Sequence, residues 1–412
     1  MATSDFSWLD SDLRREVLDD LARPMPATRE PLAYTTPPRH LDRPLVDGKP
    51  HLVFVAFYPY PSVTKRALPL RATGGYYLTF LGLCIREDYE IRRWFDQAYE
   101  APDYAALSGM LHRCRAAAVH ATIQPGLLGA LAADARGAFR LVLDIVDSQL
   151  YQEHGADHPA VRLERAILAR SDFLAHKLPP EGVARLQAVY GTERPEALLH
   201  SLPWPPICHD NLAQPGPPWK IAYAGGVMPY RIAMARGFGH HDFAPVIEAV
   251  CQAGMELTFF VNQNARDMHW EAHDRYFDLE RAYANFRFRP GLPFHRVPEA
   301  LSGFHFGLMY DNLHETRFSP EHFRYNMSSK LFTYLEAGLP LLVHDRFDYI
   351  VDIVRRHGLG LVYSLDALDR LPELLATADY PALRMAVARF RREHPLEETL
   401  PGLRRAFGVE QV

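Results

Sequence analysis

The chain has 412 residues, long enough for two domains of about 150 residues each, and it is 48% hydrophobic and 12% aromatic with a formal net charge of −5. That composition supports sizeable cores and excludes a disordered or collagen-like chain. So weak and mixed a charge also excludes a dedicated nucleic-acid binder, which carries a basic footprint.

Residues 1–13 show neither the basic nor the apolar region of a signal peptide. No run of 18 apolar residues suggests a transmembrane helix. Cys84, Cys114, Cys208 and Cys251 form no C-x-x-C pair, which argues against a zinc ribbon or redox motif and suits a reducing compartment. The expectation is a cytoplasmic protein, with peripheral membrane contact left open.

In chain order, residues 5–22 place Phe6, Leu9, Leu13, Val17 and Leu21 at helical spacing. Seven prolines in residues 23–50 rule out a helix or central strand and predict an extended arm, so residues 1–50 read as an N-terminal helix and proline-rich arm. HLVFVAF (51–57) reads as a buried strand leading into a proline-rich loop. Gly74-Gly75 then opens a helical pattern through Tyr77, Leu78, Leu81 and Ile85. AAAVHAT (116–122) and FRLVLDIVD (139–147) read as strands, Gly126 opens a helix between them, and 159–176 reads as helix. This rhythm predicts an α/β domain with a parallel sheet over 51–210.

PWPPICHDNLAQPGPPW (203–219), with six prolines in seventeen residues, reads as a linker. A second α/β domain follows over 211–385, with strands at KIAYAGG (220–226), MELTFFV (255–261), GFHFGLMY (303–310), LPLLVH (339–344) and LGLVY (359–363). Helices are expected at 243–254, 328–338 and 348–358, each closed by a glycine. Residues 386–412 read as a C-terminal helix crossing back to the first domain. The fold class is therefore α/β, with two Rossmann-like doubly wound domains facing across a ligand-binding cleft.

NMSSKLFTYLEAGLPLLV (326–343) carries the sharpest local signal. Ser328 or Ser329 is a good N-cap, and Lys330 sits in the first helical turn, where a cation opposes the helix dipole. It is one of only five lysines. Two readings stand: an ordinary capped helix with a solvated lysine, or a diphosphate site built from free N–H groups, a hydroxyl and an ammonium.

This segment resembles the donor site of GT-B glycosyltransferases of the family-4-like, group 1 type. The likeness rests on Ser329-Lys330-Leu331-Phe332-Thr333-Tyr334 followed by Gly338-Leu339-Pro340-Leu341-Leu342. KIAYAGGVMPYR (220–231) resembles the first strand and glycine loop of the same domain. FRPGLPFHRVPEAL (288–301) and AAAVHATIQPGLLGALAA (116–133) resemble two further family blocks. The resemblance implies the GT-B architecture and a glycosyltransferase of hexosyltransferase type. Such an enzyme moves a sugar from a nucleotide-diphosphate sugar to an acceptor that the resemblance does not identify, without a metal or other cofactor.

It also implies site residues. Gly225, Gly226, Arg231, Asn326, Ser328, Ser329, Lys330, Leu331 and Thr333 would bind the donor. Gly74 and Gly75 would face the acceptor. His120, Glu315 and Asp147 are the catalytic candidates: His120 as hydrogen-bond partner or base, Glu315 facing the sugar, and Asp147 or Asp144 as base in an inverting variant.

The chain departs from the family at Thr333, where a ribose-binding Glu is usual, at Tyr325, where its partner Glu belongs, and at Gly226, where an Arg is usual. Glu315 or Glu321 would take over the sugar-facing role, and Arg231 the missing charge. The lost Glu pair also suits a non-catalytic sugar- or nucleotide-binding scaffold, and a nucleotide-sugar 2-epimerase shares the fold. Asp10-Ser11-Asp12 matches a metal-binding D-x-D pattern but falls in the first helix. His240-His241 read as loop residues. The series Arg384, Arg389, Arg391, Arg392, Arg404 and Arg405, interleaved with glutamates, reads as a solvated helix face, with anionic lipid as the alternative.

Overall fold

The computed structural model describes residues 4, 6–22, 39–85, 89–124, 126–152, 155–261, 270–313 and 316–410. The chain divides into two compact units, one of residues Met1–Ser201 with Leu396–Val412 and one of Leu202–Pro395. The boundary read from the sequence at 210/211 thus falls inside the second unit.

The first unit is built on a sheet of β1 (Leu45–Val46), β2 (Lys49–Val55), β3 (Tyr77–Gly82), β4 (Gln97–Glu100), β5 (Ala118–Thr122), β6 (Arg140–Ile145), β7 (Phe173–His176) and β8 (Glu196–Leu198). Their order is β4-β3-β2-β5-β6-β7-β8, all parallel, with β1 pairing antiparallel to β2. The order reverses between β2 and β5. In such sheets the carboxyl ends of the strands at the reversal form the ligand crevice.

Three expectations are corrected here. The stretch after Gly74-Gly75 is strand β3, not a helix. Gly74, at φ 67°, closes the helix Pro61–Thr73 instead. That helix was read as a loop because of its prolines, but Pro61 occupies the first turn, where no N–H is needed. The expected helix over 159–176 stops at Leu168, and Phe173–His176 is β7.

The helix Ser11–Ala22 buries Leu13 and Val17 against this unit, and Trp8 Nε1 donates to Asp134 at 2.9 Å. Asp10 caps the helix through the N–H of Leu13 at 3.0 Å and pairs with Arg162, so the D-x-D match is a capping device. Residues 23–38 of the proline arm lie outside the described residues.

The second unit contains β9 (Lys220–Gly225), β10 (Glu256–Val261), β11 (Phe286–Arg289), β12 (Phe306–Met309), β13 (Leu341–His344) and β14 (Gly360–Tyr363), in the order β11-β10-β9-β12-β13-β14, all parallel. Alternate residues face opposite cores, as the two-residue period of a strand dictates. Ile221 and Tyr223 pack with the helix Ala244–Gln252, while Ala222 and Ala224 pack with the helix Ser329–Glu336.

The proline-rich stretch before β9 is docked rather than free. The Trp204 N–H donates to Glu336 at 2.9 Å, Asn211 Nδ2 donates to the Phe304 carbonyl at 2.9 Å, and Arg391 donates to the His209 carbonyl at 2.7 Å. Arg384 donates to the Asn211 and Ala213 carbonyls. These two arginines anchor a loop, which corrects the reading of the whole series as a solvated face. The single C-terminal helix expected over 386–412 is two, Tyr380–Glu393 in the second unit and Leu400–Phe407 in the first.

β9 and β12 pair over only two positions, Ile221 with Phe306 and Ala222 with Gly307. Beyond them Tyr334 inserts its hydroxyl, which accepts from Ala224 N–H at 2.9 Å and donates to Leu308 C=O at 2.9 Å. Its ring lies on Gly307, where an added Cβ would stand 2.2 Å from Tyr334 Cγ. Tyr334→Phe should keep the ring but leave two buried backbone groups unpaired. The expected loss is about 1–3 kcal/mol, read as a lower denaturant midpoint with an unchanged slope.

Candidate functional site

The second unit's switch point lies between β9 and β12, so the carboxyl ends of these strands define the candidate site. β9 runs out at Gly225-Gly226. Lys330 extends from the first turn of the helix Ser329–Glu336, whose N-cap Ser328 accepts from the Lys330 N–H at 3.4 Å. Its ammonium donates to Tyr223 Oη at 3.2 Å and lies 4.9 Å from the centroid of that ring. Tyr223 Oη in turn donates to the Gly226 carbonyl at 2.9 Å.

Gly225 makes this reach possible. A Cβ there would stand 2.7 Å from Lys330 Cδ and 3.0 Å from Tyr223 Oη. The lysine is half-buried and has no carboxylate within ion-pair distance among the described residues. A cation held so, in a helical turn whose N–H groups already favour anions, is arranged to receive one.

Three histidines surround it in electrostatic range. Burial first, with the charge of Lys330 among the further causes, pushes His240 down to about 2, His241 to about 4 and His344 to about 3. All three are neutral at physiological pH and add no positive charge beside the lysine. His240 and His241, read as loop residues, lie in a short 3-10 turn, Gly239–His241, at this end of the sheet. Three buried polar atoms here have no partner among the described residues: Asn326 Oδ1, His241 Nδ1 and His344 Nε2. Buried polar atoms are ordinarily paired, so each such orphan calls for an explanation.

The other expected donor residues divide. Asn326, Ser328 and Ser329 lie with Lys330 at the helix start, and Leu331 is fully buried core beneath it. Thr333 donates back to the Ser329 carbonyl at 3.4 Å. Arg231 is exposed and pairs with Asp274 at 3.4 Å, so the structure does not bring it to Lys330. Glu315 lies outside the described residues. Tyr223, Tyr334 and His344 were not singled out from the sequence. His344 ends β13, and Tyr223 stands within β9, each a polar break in an apolar run, a weak but usable signal.

In the first unit, His120 is fully buried between Phe54 and Phe407, with centroids at 5.1 and 6.2 Å, and its Nε2 donates to Asp144 at 3.1 Å. It is a core residue of β5 rather than one presented at a surface. Asp144 also receives Arg66 Nε at 3.1 Å, from the helix Pro61–Thr73. Burial alone would raise this carboxyl. The Arg66 guanidinium and His120 outweigh it and hold Asp144 well below the usual carboxylate range.

Asp147 is partly exposed and pairs with Lys177 at 3.3 Å. Gly74 and Gly75 precede β3 at its amino end, away from the carboxyl ends where α/β sheets present ligands.

The two doubly wound units define the GT-B fold. Within the second, residues 250–394 match the family model of the glucosyltransferase 3-like C-terminal domain. The matched domain is that of a glycosyltransferase, and the fold is the one that GT-B glycosyltransferases share.

The fold is similar to that of HepE from Anabaena in complex with UDP-glucose, with a TM-score of 0.62 at 8% identity over 87% of this chain and 99% of that one. It is also similar to sucrose-phosphate synthase from Thermosynechococcus elongatus, with a TM-score of 0.63 at 12% identity over 88% and 100%. A UDP-forming trehalose-phosphate synthase from Burkholderia xenovorans gives a TM-score of 0.54 at 10% identity over 87% and 100%. No curated protein matches the chain.

Two outcomes test this geometry. Gly225→Ala should displace Lys330 and weaken nucleoside diphosphate binding at least tenfold by calorimetry, with the unliganded melt little changed. Asp144→Asn should cost about 3–5 kcal/mol, because it leaves Arg66 buried without its countercharge. The depressed pKa of Asp144 means that its stabilisation is present above the unfolded value of about 3.9 and is lost as pH falls below it. Acid titration of stability should therefore be flatter in the variant.

Proposed function

We propose that the second unit binds the diphosphate of a nucleotide sugar at the start of the helix Ser329–Glu336, with Lys330 as its principal charge contact. The observation that carries this is the half-buried ammonium held over Gly225 at the switch point, without a carboxylate partner among the described residues. Uridine diphosphate is the first nucleotide to try, since UDP-glucose is the ligand of HepE and the trehalose-phosphate synthase is UDP-forming.

In transfer, an acceptor nucleophile bonds to the anomeric carbon and gives up its proton as the bond to the diphosphate oxygen breaks, and negative charge gathers on the leaving phosphate. A fixed ammonium and oriented N–H groups stabilise that charge without reorganising. Among the described residues no group of three or more His, Cys, Asp or Glu is arranged to hold a metal. Lys330 takes the role of the divalent ion, and the reaction proceeds without one. We place the enzyme in the cytoplasm; among the described residues no helix is long and apolar enough to cross a membrane.

Lys330→Ala removes a charge-assisted contact worth roughly 1.5–3 kcal/mol. UDP affinity should fall about 10- to 150-fold, while the unliganded melt holds or rises slightly as the dipole clash goes. Unchanged affinity would remove the site from this helix. EDTA should change neither binding nor turnover of labelled UDP-sugars. Epimer formation, or binding without transfer or hydrolysis, would point away from glycosyl transfer.

A further inference from the structure

His344 is the last residue of β13 and is fully buried, its ring lying on Phe347 with centroids 3.9 Å apart. The backbone N–H of Arg346 donates to its Nδ1 at 3.2 Å, so the neutral ring carries its hydrogen on Nε2. That Nε2–H is buried and meets no acceptor among the described residues. The Arg346 bond accounts for a ring nitrogen at Nδ1, but neither it nor the packing on Phe347 accounts for the buried donor at Nε2.

The neighbouring unpartnered atoms sort by chemistry. His241 bonds through one ring nitrogen to the Gly226 carbonyl, which leaves Nδ1 as an acceptor, and Asn326 Oδ1 is an acceptor as well. These two suit hydroxyl groups. The Nε2–H of His344 and the ammonium of Lys330 are donors, and the two residues lie within electrostatic range of each other. His344 ends β13 and Lys330 lies over the end of β9, so both donors belong to the carboxyl end of one parallel sheet, where one acceptor-rich, anionic group suits them. A neutral ring meets that need without repelling the lysine.

We infer that His344 donates its Nε2–H to a phosphate oxygen of the nucleoside diphosphate held by Lys330, as a positioning residue. This rests on the donor site proposed above. The histidine fixes the rotation of the phosphate group, while the lysine supplies the charge.

Calorimetry on the whole chain, with UDP and with uridine as probes, tests it. His344→Phe keeps the ring on Phe347 and removes the donor. Its UDP affinity should fall about tenfold or more and its uridine affinity should stay, while its unliganded melt should drop only slightly, through the lost bond from Arg346 N–H. His344→Gln returns an N–H near the Nε2 position and should recover most of the loss.

In the parent protein, the 15N resonance of His344 Nε2 should move on addition of UDP and not of uridine. This measurement requires no variant to fold. If His344→Phe binds UDP like the parent while Lys330→Ala has lost it, or if the resonance stays still when UDP binds, the role of His344 is wrong and the donor site stands. If Lys330→Ala also binds like the parent, both fall.

Discussion

A tyrosine hydroxyl placed between two parallel strands sets the geometry of the second unit's functional end. Parallel strands that pair along their whole length leave no opening at their carboxyl ends. Here β9 and β12 part after two residue pairs, and Tyr334 takes up the backbone groups of Ala224 and Leu308 that would otherwise be orphaned. Gly307 is what admits the ring. Because Tyr334 and Lys330 belong to one helix, the side chain that props the strands apart also sets where the lysine emerges, one turn earlier.

The electrostatics follow from that placement. Lys330 opposes its own helix dipole, crosses the bare backbone of Gly225 and rests on a tyrosine rather than a carboxylate. A carboxylate would stabilise the resting protein more and would compete with an anionic ligand. Around the lysine, burial keeps His240, His241 and His344 neutral, so they offer hydrogen-bonding groups beside it without adding positive charge.

The first unit uses its buried charges differently. His120, Asp144 and Arg66 form a buried group within the sheet and its covering helix, with one carboxylate oxygen shared at 3.1 Å by both partners, while Arg66 Nη1, His120 Nδ1 and Asp144 Oδ1 meet no partner among the described residues. A histidine at the carboxyl end of an apolar strand suits either catalysis or the core, and the strand pattern is the same for both. Here the aromatic rings on either side of it, one from the distant helix Leu400–Phe407, decide for the core.

The sequence by itself determined the α/β rhythm, eight of the strands as apolar runs, and the helix start at 328–330. These depend on local hydrophobic runs, caps and glycine stops. It was misleading where local signals conflict with packing. β3 is buried on both faces, so its apolar residues show no two-residue period and matched a helical one. Pro61 and Pro69 hid a helix that the surrounding core stabilises. Only the tertiary structure decided which residues share the site. Tyr223, Gly225, Gly307, Lys330, Tyr334 and His344 come from three strands and one helix, and no spacing along the chain links these elements. The order of strands in the sheet brings them to one edge, and that order arises from long-range pairing that no local pattern encodes.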